Sequence, residues 1–251
     1  MIDATEIVGW WDRYLQIAEI EDYPGALNGL QVEATRPVTK IGAATDACQA
    51  TIDLAVGEGC ELLLVHHGLF WGGVSPLTGP SFLRARTLIE AGTGLYSAHL
   101  PLDLHEEVGN NALLAKALEM PIEGRFGPFG GRDLGVVVTA GRSREELVDL
   151  VTGVCGGPVT LIPGGPERVE HLAILSGGGG SMIAAAVDSG ADALLTGEGN
   201  HHTYHEAMEL GINVLYAGHY ATETFGVRKL AEVTADRFRI ESRFFDVPTG
   251  L

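Results

Sequence analysis

Basic residues are scarce in this chain: Lys and Arg total 16 against 33 Asp and Glu, a formal net charge of −17. With no cluster of cations to neutralise phosphates, the composition argues against nucleic acid as a partner. The same charge repels anionic small molecules at long range unless a local positive source offsets it, and a pair of divalent metals is such a source. Cysteine is scarcer still. Cys48, Cys60 and Cys155 show no Cys-x-x-Cys spacing and read as small buried side chains in a reducing cytosol. No apolar run approaches the ~20 residues of a membrane span. The opening Met-Ile-Asp-Ala-Thr-Glu lacks the basic and apolar regions of a signal peptide. A cytoplasmic protein with no membrane partner is the expectation. A Gly-x-Ser-x-Gly elbow is also missing, which disfavours a serine hydrolase.

What the chain does have is 45% hydrophobic residues and 35 glycines in 251 positions, the make-up of a compact α/β protein with many tight turns. Its length allows one large or two small domains. Residues 4–20 read as an amphipathic helix capped near Thr5 and broken by Pro24-Gly25, with its tryptophans in the core. A short extended piece begins at Asn28. Strand and helix patterns then alternate: strands at 40–45, 61–65 and 95–98, helices at 47–57, 81–91 and 111–119. This alternation indicates βαβ units and a mainly parallel sheet. The Gly-, Pro- and Phe-rich stretch from Glu123 to Arg132 is the best domain boundary. A second alternating region follows, with a helix at 144–154 capped by Ser143 and a last strand at 238–245. The expected fold is therefore two similar α/β lobes with mainly parallel sheets and a metal site in the cleft between them. The first lobe spans 1–125, completed by 221–251, and the second spans 126–220.

Three apolar strands end in histidine. Leu62 to Val65 runs into His66, His67 and Gly68; Leu95 to Ala98 into His99, with Asp103 four residues on; Val214 to Tyr216 towards His219, with Glu223 four residues on. Neighbouring strand residues point to opposite faces, so His66 and His67 converge only where the backbone bends, as Gly68 permits. Sites in open α/β sheets form beyond the carboxyl ends of strands. Imidazole and carboxylate there read as a metal site with enough ligands for two ions. Without thiolate ligands the set admits Zn, Fe, Mn, Co or Ni.

Ser176 to Ser181 (Ser-Gly-Gly-Gly-Gly-Ser) follows a strand and opens a helix, a place where amides hold an anion. It lacks the Lys of a P-loop, and a tight structural turn is the reading preferred. Glu198, His201, His202 and His205 form another polar cluster. His201 and His205 share a helix face, and an exposed face or cleft rim is preferred over a ligand role.

These residues together resemble the GTP cyclohydrolase I type 2 family, also called the NIF-three-like dinuclear-metal proteins. The resemblance is carried by His66-His67-Gly-Leu-Phe-Trp, by His99-Leu-Pro-Leu-Asp103 running on to Gly109-Asn110-Asn111, and by Gly218-His219-Tyr-Ala-Thr-Glu223. Asn28-Gly-Leu-Gln-Val and Thr196-Gly-Glu198 extend it over nearly the whole chain. It implies metal ligation by His66, His67, Asp103, His219 and Glu223, two divalent ions per subunit, and a ring-shaped homohexamer. The implied activity is hydrolytic opening of the guanine imidazole ring of GTP with release of formate. The chain resembles the compact members, which lack an inserted domain. Two adjacent metals activate a water and clamp the attacking and departing oxygens, which suits attack on the carbon between two ring nitrogens of a purine or on a phosphorus. His99 and His105 are the remaining imidazoles suited to acid–base work or to supporting the ligands. The partner expected is a small-molecule substrate, with nucleotides as one class. The competing classes are a metallohydrolase of another substrate, such as a phosphoester, and a non-catalytic metal-binding scaffold.

Overall fold

The computed structural model describes residues 1–73 and 75–251. The chain divides into two compact units: residues 1–102 with 226–247, and residues 103–225 with 248–251.

Unit 1 is built on the short apolar runs β2 (Lys40–Asp46), β3 (Leu62–His67) and β4 (Gly94–Ser97). They pair in parallel, and β11 (Glu241–Phe244) adds a further parallel strand beside β2. β1 (Gly29–Val32) closes the other edge, antiparallel to β4, which gives the order β1-β4-β3-β2-β11. Strands covered on both faces read as continuous apolar runs and not as alternations. On one face Leu63, Val65 and Leu95 pack with Ile52 of α2 (Gln49–Gly57) and Leu88 of α3 (Gly79–Ala91). On the other, Trp11 of α1 (Ala4–Tyr14) lies 4.8 Å from the Tyr96 ring. Its indole N–H donates to Thr234 of α10 (Thr224–Phe238) at 2.9 Å.

The expected helix over 4–20 is shorter. Asp3 caps it, accepting from the Thr5 amide, and Leu15 ends it; Gln16 then turns at φ 54°. The freed residues 16–28 run as turns and extended chain. The last strand also starts later than expected, because Phe238 closes α10 and Arg239 turns at φ 54°.

Unit 2 holds a second sheet, in the order β5-β6-β8-β9-β10-β7. Its parallel centre is β8 (Arg168–Ile174), β9 (Ala193–Thr196) and β10 (Asn213–Tyr216). β7 (Thr160–Pro163) pairs antiparallel with β10, and the hairpin β5 (Ile122–Phe129) and β6 (Arg132–Ser143) adds antiparallel strands at the other edge. The fold is thus α/β with two mixed sheets: the first is mainly parallel as expected, the second is not. The Gly/Pro-rich stretch 123–132 is a hairpin and not a linker. Gly130 and Gly131 take φ of 54° and 75° at its tip, the conformation of a tight two-residue turn. The chain passes between units at Leu102–Asp103 instead. The unit 2 core gathers Val136, Leu147, Leu172, Leu195 and Leu215.

The cysteines also differ from expectation. Only Cys60 is buried; Cys48 and Cys155 are half-buried. Burial pushes the Cys60 and Cys155 thiols up to about 11. Among the described residues no helix is long and apolar enough to cross a membrane.

Ser143 caps α6 (Arg144–Cys155) in a reciprocal box: its hydroxyl accepts from the Glu146 amide at 3.1 Å, and the Ser143 amide donates to Glu146 Oε2 at 2.8 Å. Ser143→Ala should lower unfolding stability by about 1 kcal/mol in a urea titration. An unchanged midpoint would show that the box contributes nothing.

Candidate metal centre

In unit 1 the register of the parallel strands levels their carboxyl ends. Asp46 pairs with His67, and Val65 with Ser97. His66 Nδ1 therefore lies 2.8 Å from the Ala98 carbonyl, and His67 Nδ1 lies 2.8 Å from Asp46 Oδ1. His99 Nδ1 lies 2.8 Å from Asp22 Oδ1. A carbonyl or an ionised carboxylate only accepts, so each Nδ1 is the donor and the lone pair of a neutral ring sits on Nε2. One ring nitrogen from each of His66, His67 and His99 lies within 4.8 Å of the others. His66 and His99 are buried and His67 is half-buried.

Asn28 and Gln31 secure this arrangement. Asn28 accepts the His99 amide at 2.7 Å and donates to Asp22 Oδ2 at 2.7 Å. Gln31 accepts the Leu69 amide at 2.7 Å and donates to the Leu27 carbonyl at 2.6 Å. Gly68 owes its identity to this amide: a Cβ there would run into the Gln31 side chain, and its φ is not positive. The bend expected from glycine freedom is thus a close approach. Burial pushes the Asp22 carboxyl up, but the hydrogen bond and charge of His99, with donors from Asn28 and the Tyr23 amide, outweigh it and hold Asp22 below the usual carboxylate range.

In unit 2 the ends of β8, β9 and β10 are also level, with Ile174 beside Leu195 and Thr196 beside Tyr216. The turn α9 (His219–Thr222) follows β10. His219 Nδ1 lies 2.8 Å from Glu198 Oε1 and its Nε2 lies 3.0 Å from Glu223 Oε2. The hydrogen bond to Glu223 is the largest influence on His219; desolvation opposes it, the charge of Glu223 and then Glu198 add to it, and the imidazole rises to about 9. Asp103, at the end of α4 (Leu100–Asp103), is buried and accepts from Asn110 Nδ2 at 2.7 Å and Ser176 Oγ at 3.3 Å.

The glycine loop is a packed wall. The Ser176, Gly177, Gly179 and Gly180 amides donate to Asn111, Thr222, Thr196 and the Glu198 carbonyl. Their donors serve the fold and not an anion. Gly177 takes φ 68°, and a Cβ there would collide with the Glu223 carboxylate.

His66, His67 and His99 are thus brought together in unit 1, and His219 with Glu223 in unit 2, where the Ser176–Gly177 step touches both Asp103 and Glu223. His105 does something else: its Nδ1 accepts the Glu107 and Val108 amides at 3.2 and 3.3 Å and shapes a loop. His201, His202 and His205 are exposed, and no cluster of ligating groups among the described residues includes them. Glu198, grouped with those histidines by sequence, is instead the partner of His219. Asp22, Asp46, Asn28 and Gln31 escaped sequence reasoning as supports. Asp46 was detectable as a carboxylate ending the strand beside His67; Asp22 carried no local signal.

Residues 2–249 match the family described as Duf34/NIF3 (NGG1p interacting factor 3). The chain belongs to this family. A Deinococcus radiodurans protein named GTP cyclohydrolase 1 type 2 homolog is 42% identical, covering 100% of this chain and 95% of its own. One of the same name from Archaeoglobus fulgidus is 37% identical over 100% of both. A solved structure from Thermus thermophilus matches with a TM-score of 0.87 at 40% identity over 100% of both chains.

The donors in this Duf34/NIF3 chain fit a divalent transition metal. They are imidazole nitrogens and carboxylate oxygens without thiolate, and each imidazole is held through its other nitrogen, as metal-binding histidines are. A metal ion on His219 would displace a proton. In the metal-free protein its raised pKa contributes stability that is complete below pH 6.5 and lost as pH rises through about 9. Metal affinity runs oppositely. It should climb by up to about tenfold per pH unit towards pH 9 and then level, as read by competition with a chelator of known pH dependence. A flat profile would refute the assignment of His219 as a ligand.

Proposed function

We propose that this protein is a dinuclear metal-dependent hydrolase acting on a purine nucleotide. Opening of the imidazole ring of GTP with release of formate is the reaction to test first. The observation that carries the reading is the anchoring of His66, His67 and His219 through Nδ1, which presents Nε2 as the ligand atom. With Asp103 and Glu223 these make five donors, more than the three protein ligands usual for one catalytic zinc, which supports two ions.

A metal pair would act as a Lewis acid and lower the pKa of bound water towards ~7. The chain's own residues do the rest. Asp103 and Glu223 would offset part of the pair's cationic charge, and Asp46 and Glu198 keep the His67 and His219 rings oriented. His99 is assigned the proton transfer, because Asp22 at 2.8 Å from its Nδ1 orients the ring and leaves Nε2 as the exchanging atom. His105 is left out, since its ring nitrogen is engaged by amides. The name that the relatives from Deinococcus radiodurans and Archaeoglobus fulgidus carry, GTP cyclohydrolase 1 type 2 homolog, supports the choice of substrate.

Protein reconstituted with Zn, Fe, Mn, Co or Ni should release formate from GTP with at least one of them. His67→Ala should abolish that release with the fold intact by circular dichroism. Asp103→Ala and Glu223→Ala should each hold fewer than two metals per subunit by elemental analysis, while His99→Gln should keep both and lose about 100-fold or more in turnover. Full occupancy in both carboxylate variants, or formate release from metal-free protein, would overturn the reading. Turnover of a phosphoester but not of GTP would move the substrate and keep the centre.

The assembly we propose is a homohexamer, on the strength of family resemblance alone. Sedimentation equilibrium at micromolar concentration should return six chains; a clean monomer would contradict it.

A further inference from the structure

Two exposed aromatic side chains meet the same buried imidazole in unit 1. Trp71 is 51% exposed and Tyr23 44% exposed. The indole lies 4.7 Å from the His99 ring at 86° and 5.6 Å from the His67 ring at 72°. The phenol ring lies 5.9 Å from His99 at 43°. None of these contacts is the parallel offset stack that a flat ligand ring would make, and both aromatic side chains keep about half of their surface open. Single exposed apolar residues need no explanation, but two from separate segments converging on one histidine do.

The segments that carry them are held in place. Gly25 approaches Gly72 and Gly73 so closely that a Cβ on it would lie 2.6 Å from the Gly73 nitrogen. The Leu27 amide donates to the Phe70 carbonyl at 3.4 Å. Gln31 ties Leu69 to Leu27, and Asn28 ties Asp22, the neighbour of Tyr23, to His99. Ordering half-exposed aromatics in this way sacrifices entropy without filling a core. A ring held in place beforehand is what stacking recognition requires.

We propose that Tyr23 and Trp71 form a stacking platform for a planar heteroaromatic ring, such as a nucleobase, beside the His66, His67 and His99 cluster. The platform deepens the hydrolase reading and rests on it for the choice of a purine. It binds by π-face contact, which every nucleobase offers. Its role is to hold the ring near the histidines, and it makes no bond to a metal.

The test uses full-length, metal-reconstituted protein with GMP, and with ribose 5-phosphate as a probe that lacks the ring. The chain has three tryptophans; Trp11 is buried and Trp10 is half-buried and stacked on Tyr14 at 4.9 Å. GMP should therefore quench mainly the Trp71 emission, saturably. Trp71→Leu and Tyr23→Leu should each weaken GMP binding about tenfold by calorimetry. Trp71→Phe should recover most of the loss, and ribose 5-phosphate should bind wild type and variants alike. Unchanged GMP affinity in both leucine variants would overturn the platform. So would equal losses for GMP and ribose 5-phosphate, a loss of bound metal that accounts for the effect, or a wild type that binds no GMP. Quenching by GMP in a protein that turns over neither GTP nor a phosphoester with any of the metals would defeat the hydrolase reading and leave the platform standing. Formate release at wild-type kcat and KM in Trp71→Leu would do the reverse.

Discussion

An imidazole has two nitrogens and can offer a lone pair from only one of them in its neutral form. Which one it offers is decided by what occupies the other, and that constraint governs this protein. His66, His67, His99 and His219 each have Nδ1 fixed at 2.8 Å by an oxygen acceptor. The acceptors are products of the fold. Ala98 and Asp46 are set by strand register, Glu198 by the end of β9, and Asp22 by the segment that remains when α1 stops at Tyr14. A slip of one residue between β2 and β3 would turn Asp46 away from His67 and strand its ring. The sheets thus matter to the site less as a core than as a ruler.

The short α1 shows how a local rule yields to this demand. Its amphipathic pattern continues past Tyr14, yet the chain turns at Gln16 in an unfavourable backbone conformation. The turn lets Asp22 reach a histidine 77 positions away and exposes Tyr23 beside it. Local consistency fails where long-range function needs it to.

The same contrast explains what sequence could and could not disclose. Strands ending in His66, His99 and His219 were legible because apolar runs and terminal polar residues are local signals. The Ser143 cap was legible for the same reason. The hairpin at 122–132 was misread because paired glycines serve linkers and two-residue turns alike, and only the pairing of Phe129 with Arg132 separates them. The acceptors behind the histidines were not legible at all, apart from Asp46, since no spacing rule connects Asp22 to His99 or Gln31 to Leu69. Gly68 looked like a flexible bend and is a clearance for an amide.

The glycines around the two ligand sets differ in one respect that bears on how such a protein can diversify. At Gly177, Gly179, Gly180 and Gly197 an added methyl would strike a candidate donor, a neighbouring side chain or the backbone, whereas at Gly72 and Gly73 it would meet nothing within 4 Å but φ of 82° and 96° still favours glycine. The wall behind Glu223 and His219 is therefore held by packing, and the loop after Trp71 by its backbone conformation. A lineage carrying this scaffold would vary its rim at the exposed side chains of Tyr23 and Trp71, and not at the glycines beside them.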